Sequence, residues 1–327
     1  MSHPSPVVSV IMNAAAGACR DCDKDELARL FQNAGMTVNV ITASSGADLT
    51  AAVQRAAREA GHISGHASGH ASAHASTNMP RLVVAAGGDG TLNTVASVLA
   101  GTDIALGVLP MGTLNHFAKD LNIPLGLQAA AAAIVAGHSI KIDVGEVNGR
   151  LFLNNSSLGL YPDMVRERKS QQRRLGRGKW MSVLWASITM LRRFPFLNVR
   201  LTIDNEEQVR RTPLVFIGNN EYVMEGFNIG RRARLDAGCL SLYVTHRPGR
   251  MRLFVLALRA LFGLLRQAKD FDALTAQRIL VETRHRQLRV ATDGEVCMME
   301  TPLEYRVRPG ALHVIVPAPQ PGTDKNA

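Results

Sequence analysis

The sequence predicts an α/β protein: an open parallel sheet in its N-terminal part, followed by a mostly antiparallel, sandwich-like β-rich part. Three observations predict it. From residue 7 to about residue 140, short apolar runs alternate with helical patterns, and the runs are apolar at successive positions rather than at every second one. Strands buried on both faces read that way, and the β-α-β-α order covers both faces of a parallel sheet with helices. Two of these runs end on glycine turns that open a helix, 87-GGDGT-91 and 112-GTLN-115. Beyond about residue 140, strand-like runs follow one another with turn residues between several of them, the pattern of antiparallel β structure.

Each element has its own signal. VVSVIM (7–12) reads as a buried strand, and DKDELARLFQNAG (23–35) as a helix closed by Gly35. MTVNVIT (36–42) is the next strand and ADLTAAVQRAAREAG (47–61) the next helix. RLVVAA (81–86), a helix from near Thr91, IALGVL (104–109) and a helix from about Leu114 complete the first domain, predicted over 1–142. In the second domain, predicted over 143–317, the strand-like runs are LFLNNSS, FLNVRLTID, TPLVFIGN, CLSLYVTH, RILVET, QLRVAT, EYRVR and HVIVP. The last of these is placed as a strand returning to the first domain, and 318–327 as a disordered tail.

One segment interrupts this order. GHISGHASGHASAHAS, within the insertion 61–80, stands where a connection of about 2–6 residues would suffice. Its histidines (62, 66, 70, 74) recur every four residues and would form one metal-binding row on a helix. The other reading is a flexible, solvated insertion of small residues.

Composition narrows the partners. The chain has 327 residues and a net charge of +10, which favours an anionic partner: nucleic acid, an anionic membrane face or a phosphorylated ligand. Aromatics make up only 5%, and no zinc-finger or RNA-binding signature is present, so nucleic acid is not expected. The four cysteines (19, 22, 239, 297) are too scattered for a disulfide framework, and Cys19-Arg-Asp-Cys22 lacks the second pair of a zinc site. MSHPSPVVSV lacks the charged-then-apolar order of a signal peptide, and no apolar run reaches the ~20 residues of a spanning helix. A cytoplasmic location is the expectation.

The glycine turns point to chemistry. Ligands of open α/β sheets bind outside the carboxyl ends of the strands, where 87-GGDGT-91 lies. Glycine tolerates positive φ and lets a backbone approach a ligand closely, while the helix N-terminus offers unpaired N–H groups and a positive dipole end. Gly87, Gly88, Gly90 and Thr91 therefore read as a phosphate cradle. Asp89 would repel phosphate; it is suited to holding magnesium, directly or through water, or to orienting a loop donor. GTLN recurs at Gly112, Thr113 and Asn115, and if the two strands are neighbours both turns line one crevice. The GGDGT turn is similar to those of phosphofructokinases, NAD kinases and the diacylglycerol kinase catalytic family, all of which transfer phosphoryl groups.

Further residues separate these three. IMNAAAG, GGDGTLN, LGVLPMGTLNHFAKDLNIP, KIDVGEVNGRLFLNNSSLG, RLDAG and the late TDGE run from about Val7 to Pro317. Together they resemble a bacterial member of the diacylglycerol kinase catalytic family, which includes sphingosine-kinase-like proteins. The resemblance implies a nucleotide-binding α/β domain, a β-rich domain and an active-site cleft between them. It implies that Asn13, Ala14, Ala15, Ala16, Gly17, Thr42, Gly88, Asp89, Gly90, Thr91, Leu92, Asn93, Thr94 and Thr113 contact ATP. It implies that Glu295 is the general base for a lipid hydroxyl. Asp89, Asp143 and Asp293 would then form an acidic network supporting Mg2+ and the base. Phosphoryl transfer is mostly positioning and charge stabilisation, so a cradle, a metal and a base are the parts it needs. Without the resemblance, 292-TDGE-295 reads equally as an ordinary hairpin turn.

The chain departs from the family pattern at three places. NAAAG replaces Asn-Pro-x-Ser-Gly, and His116 stands where many members have Asp. The family's structural magnesium loop, usually Lys-Leu-Asp-Asp-Gly, is here 234-RLDAG-238. By position Arg234 and Cys239 would offer backbone oxygens, Ala237 replaces the metal carboxylate, and Asp236 is the available partial substitute.

Two apolar segments carry basic residues suited to a membrane interface. In 250–269, Arg252, Arg259 and Arg266 form one stripe on an otherwise apolar helix, which also reads as a helix packed on a sheet. The segment 177–194 carries both tryptophans between basic ends, after the basic run 166–179. The expected function is an ATP- and Mg2+-dependent lipid kinase, with diacylglycerol the first acceptor. It would meet its lipid at a membrane surface by peripheral contact, and a homodimer remains open. An NAD kinase-like phosphotransferase and a catalytically weakened lipid-binding regulator are the alternatives.

Overall fold

The computed structural model describes residues 7–14, 24–62, 81–159, 196–223, 231–232, 234–245 and 271–318. Ala15, Ala16, Gly17, Cys19, Cys22, the histidine-rich insertion beyond His62, the segments 166–194 and 250–269, and the tail from 319 lie outside these residues. Two compact units emerge, one from Met1–Ile142 with Gly310–Ala327, the other from Asp143–Pro309.

In the first unit, strands β1 (Val7–Asn13), β2 (Thr37–Ala43), β3 (Leu82–Gly87) and β4 (Ala105–Pro110) alternate with helices α1 (Lys24–Gln32), α2 (Gly46–His62) and α3 (Asp89–Leu99). The strands pair in parallel in the order β2-β1-β3-β4. Beyond β4 come α4 (His116–Asp120) and α5 (Leu127–Ala136), where one helix was expected from Leu114. Pro124 and Gly126 separate them, since neither residue continues a helix. The third helix starts at Asp89, two residues before the expected Thr91.

Burial explains the unbroken apolar runs. Every residue of β3 and of β4 is buried, so no position of either strand needs a polar side chain. Helix α2 packs beside α3 and α1 beside α5, which covers the two faces of the sheet. The edge of β4 is closed by the far end of β18 (Leu303–Ile315), whose His313 and Val314 pair in parallel with Ala105 and Leu106. EYRVR and HVIVP, read as two strands, are this one continuous strand.

The second unit is built from antiparallel ladders. One sheet joins β8 (Leu197–Ile203), β9 (Glu206–Thr212), β15 (Arg278–Thr283) and the first part of β18. The end of β5 (Ser139–Val147) pairs with β6 (Arg150–Phe152). The other sheet runs β14-β13-β10-β7-β16-β17, from β7 (Asn155–Gly159), β10 (Leu214–Asn219), β13 (Leu240–Thr245), β14 (Phe271–Ala276), β16 (Gln287–Thr292) and β17 (Glu295–Glu300). A two-stranded piece, β11 (Tyr222–Val223) with β12 (Arg231–Arg232), completes the described elements.

The two sheets share one core. Val199, Leu201, Ile279, Val281 and Leu303 of the first pack with Leu158, Val215, Ile217, Leu242 and Val290 of the second. This is the expected sandwich-like arrangement. LFLNNSS, read as one strand, is broken at Leu153 and Asn154 between β6 and β7. That break positions the functional groups of this unit.

Leu106, fully buried, sits where β4 pairs with both β3 and β18. Leu106→Ala is expected to destabilise the protein by roughly 2–5 kcal/mol, read as a lowered midpoint in urea denaturation.

Candidate functional site

In the first unit the carboxyl ends of four parallel strands present Asn13, Thr42, Gly87 and Pro110 along one edge of the sheet. The order β2-β1-β3-β4 puts the change of winding direction between β1 and β3, the place where open α/β sheets bind ligands.

The two glycine turns are neighbours. The ladder between β3 and β4 runs out to Gly87 opposite Pro110, and Met111 N–H donates to the Gly87 carbonyl at 2.9 Å. Beyond it the backbones touch. A Cβ on Gly112 would lie 2.6 Å from Gly88 Cα, and one on Gly87 would lie 2.6 Å from Thr91. None of Gly87, Gly88 and Gly112 has positive φ. Of the two uses of glycine, close approach is the one that operates here.

Side chains then fix both turns. Asn115 adopts φ 49°, and its side-chain amide closes the second turn: Oδ1 accepts from Gly112 N–H at 2.9 Å, while Nδ2 donates to the Gly112 carbonyl at 2.8 Å. Asp89 reaches across, its Oδ1 accepting from Phe117 N–H at 3.3 Å. The Asp89 carboxylate thereby holds an amide of the first turn of α4, just beyond the neighbouring glycine turn. Thr91 is buried and accepts from Asn13 Nδ2 at 3.3 Å, which ties β1 to the cradle.

The other predicted contacts divide by exposure. Leu92 is fully buried, so its side chain belongs to the core. Thr94 Oγ1 bonds back to the Gly90 carbonyl. Thr113 and Ala14 are exposed, and Ala14 N–H donates to the Ala43 carbonyl. Thr42 Oγ1 and Asn93 Oδ1 are buried and make no hydrogen bond among the described residues. Helix α3 begins without a side-chain cap, so its first N–H groups remain available at the sheet edge. Close backbone approach, an uncapped helix end and buried polar atoms without partners fit a bound nucleotide.

In the second unit TDGE is a hairpin turn and more. Thr292 pairs with Glu295, and the two turn residues Asp293 and Gly294 have φ 48° and 79°. Both values are left-handed, as a type I′ turn requires. The Asp293 carboxylate accepts three backbone N–H groups: Leu153 at 2.7 Å, Asn154 at 2.8 Å and Asn155 at 3.0 Å. Two of these amides belong to the break between β6 and β7, and the third to the first residue of β7. Burial pushes the Asp293 carboxyl up from its ordinary range, against the three amides and the charge of Arg232.

Around it lies a buried polar network that sequence reading missed. Arg232 is 6% exposed and donates to the Leu153 carbonyl at 2.6 Å, to the Asn219 carbonyl at 3.1 Å and to Asn154 Oδ1 at 2.8 Å. Asn219 Nδ2 donates to the carbonyls of Asp143 and Leu153. No local pattern announces such an arginine; its partners are far away in the chain. Glu295 is exposed and pairs with Arg150 at 2.7 Å.

Asp143 is buried, and its Oδ2 accepts from Gly238 N–H at 2.6 Å. Protein groups hold the loop 234–239 at several points. Asn220 Oδ1 accepts from Ala237 N–H, Asn220 N–H donates to the Cys239 carbonyl, and Arg234 Nε donates to Asp236 at 3.1 Å. That bond raises the Arg234 pKa and lowers that of Asp236. A cationic side chain thus holds the remaining carboxylate, and the Cys239 carbonyl already accepts a hydrogen bond. With Ala237 lacking a side-chain carboxylate, these residues do not fit a structural magnesium site.

Residues 7–147 match the diacylglycerol kinase catalytic domain, and residues 162–316 match the C-terminal NAD kinase beta sandwich-like domain of the YegS type. Residues 7–147 belong to the diacylglycerol kinase catalytic-domain family. Diacylglycerol kinases of Staphylococcus aureus strains JH9 and Newman are 32% identical to it over 169 residues, which is 51% of this chain and 53% of theirs. The match therefore spans about half the length of these curated relatives. A candidate diacylglycerol kinase from Bacillus anthracis strain Sterne shares the fold with a TM-score of 0.68 at 23% identity, over 96% of this chain and 98% of that one. A second diacylglycerol kinase structure from that strain gives 0.64 at 20%, with the same coverage.

Two outcomes are expected. Asp293→Ala strands three amides and is expected to destabilise the fold by on the order of 3 kcal/mol or more, measured by denaturant titration. Chelation with EDTA in the absence of nucleotide is expected to leave the thermal midpoint unchanged.

Proposed function

We propose that the protein is an ATP-dependent lipid kinase that transfers the γ-phosphoryl group of ATP to a lipid hydroxyl, with diacylglycerol the leading acceptor. The observation that carries the reading is the pair of glycine turns, packed backbone to backbone at the carboxyl ends of β3 and β4. The family membership and the names of the S. aureus relatives support the acceptor class.

In this reading Gly87, Gly88 and Gly112 admit the phosphates to backbone N–H groups at the α3 N-terminus, and Thr91 and Asn13 hold the loop to β1. Asp89 keeps the second turn in place through Phe117 N–H. Bound with the nucleotide, magnesium supplies neutralisation of phosphate charge. The lipid oxygen attacks the γ-phosphorus, the bond to the ADP oxygen breaks, and the hydroxyl proton passes to Glu295. Among the described residues no helix is long and apolar enough to cross a membrane, in keeping with a lipid met from the surface.

The test is transfer of label from [γ-32P]ATP by the full chain to diacylglycerol, sphingosine, ceramide, phosphatidylglycerol and NAD. Label in the lipid extract is expected with diacylglycerol. Label in NADP would favour the NAD kinase-like reading, and vesicle binding without transfer to any acceptor would favour a regulator. Glu295→Gln is expected to lower kcat by at least about 10²-fold while ATP affinity stays within error. Unchanged turnover in that variant would remove Glu295 from the mechanism.

A further inference from the structure

Two hairpins of the second unit are built to the same rule. The turn residues Asn148 and Gly149 have φ 45° and 82°, and Asp293 and Gly294 have 48° and 79°. In each, a polar residue and a glycine make a type I′ turn, and the next residue opens the following strand. That residue is Arg150 in the first hairpin, paired with Val147, and Glu295 in the second, paired with Thr292. The two equivalent positions meet: Arg150 Nη2 donates to Glu295 Oε2 at 2.7 Å.

Both turns are anchored from outside their own strands. The Asp293 carboxylate grips the amides of Leu153, Asn154 and Asn155, immediately after β6. Asn148 Nδ2 donates to the carbonyls of Glu300 and Pro302, beyond the end of β17, and Asn148 Oδ1 accepts from Glu304 N–H. Each hairpin thus holds the chain next to the other. The Arg150–Glu295 pair is the side-chain contact between two elements already fixed in register.

We propose that Arg150 is the positioning residue of Glu295. The inference rests on the reading of Glu295 as the base. Arg150 occupies Oε2, and Oε1 has no hydrogen bond among the described residues, so one oxygen is held and the other is left to take the proton of the acceptor hydroxyl. The side chains are 37% and 54% exposed, and ion pairs at such positions add little to folding. Glu295 has no other partner among the described residues to choose its rotamer. A guanidinium suits the task, because its donors sit on a rigid plane.

The experiment compares Arg150→Ala, Arg150→Lys and Glu295→Gln in the full chain, using the acceptor found by the label assay. Arg150→Ala is expected to lower kcat about 10²-fold, the scale of an ångström-level misplacement, with the KM for ATP and the thermal midpoint unchanged. Arg150→Lys is expected to recover part of the loss. Added methylguanidine is expected to rescue Arg150→Ala but not Arg150→Ala combined with Glu295→Gln. The double variant is expected to be no slower than Glu295→Gln alone, since both changes disable one unit.

A kcat retained in Arg150→Ala overturns the inference and leaves the base intact. A raised lipid KM with kcat unchanged also overturns it, making Arg150 a substrate contact. Unchanged turnover in Glu295→Gln overturns the underlying assignment instead, so the two failures are distinguishable.

Discussion

The carboxylate of Asp293 takes three backbone amides at and just after one short break in the chain, and the second unit's functional groups depend on that arrangement. Where β6 stops and β7 begins, Leu153 and Asn154 leave the ladder, and their N–H groups need acceptors. One buried carboxylate satisfies them together. The bonds have a second effect, because Asp293 is itself a turn residue: locking its side chain locks the hairpin that carries Glu295. The carbonyl oxygens of the same break are taken as well, Leu153 O by Arg232 and Asn219, and Asn154 O by Asn219 N–H. Asn219 in turn holds the Asp143 carbonyl. Asp143 and Asp293, far apart in the sequence, are thereby held by one hydrogen-bond network, and Glu295 follows Asp293 in the hairpin that this network anchors.

The first unit solves its positioning problem without charge. Its constraint is distance: Gly88 and Gly112 approach until no side chain fits between them. The parallel pairing of β3 and β4 enforces that approach, because both strands leave the sheet at the same level. The polar groups Asp89 and Asn115 then set the turns rather than create them. The difference is consistent with the proposed function, in which the first unit holds phosphates and the second a base. A nucleotide's phosphates are bound by backbone N–H groups, which only glycine leaves accessible at this spacing. A base requires a particular side-chain oxygen, which a network of side chains can aim.

Local patterns and long-range partners were unequally visible in the sequence. Runs such as RLVVAA and IALGVL could be read as buried strands because burial on both faces leaves a continuous apolar stretch. The repeated GTLN was readable as a second turn because both copies follow such runs. By contrast, Glu206–Thr212 was not recognised as a strand: it lies at a sheet edge with charge at most positions and no alternation. The strand Leu303–Ile315 looked like two because Pro309 and Gly310 resemble a turn, and Gly310 does adopt a left-handed φ of 56°, yet the strand continues on both sides of them. Asp89 offered two roles on sequence grounds, and its partner is an amide 28 residues onward, beyond any local pattern. Glu295 was reached only through resemblance, since Asp-Gly alone reads as a turn, which it also is. Arg150 and Arg232 carried no signal, because each is defined by a partner brought near by the fold.

The two carboxylates of the TDGE turn divide their labour by environment. Asp293 has both oxygens committed to amides, so it has no oxygen left uncommitted to take a substrate proton; its work is structural. Glu295, two residues on, stays exposed, with one oxygen on Arg150 and the other without a hydrogen bond among the described residues. Placing it at the first position of β17 gives it the register of a strand while leaving it the access of a turn. An exposed glutamate has several rotamers of similar energy, so strand register alone does not aim its carboxylate. A fixed donor does. The matched geometry of the Asn148–Gly149 and Asp293–Gly294 turns brings that donor to the same step of the neighbouring hairpin, which is why an arginine directly after Gly149 can serve a glutamate directly after Gly294.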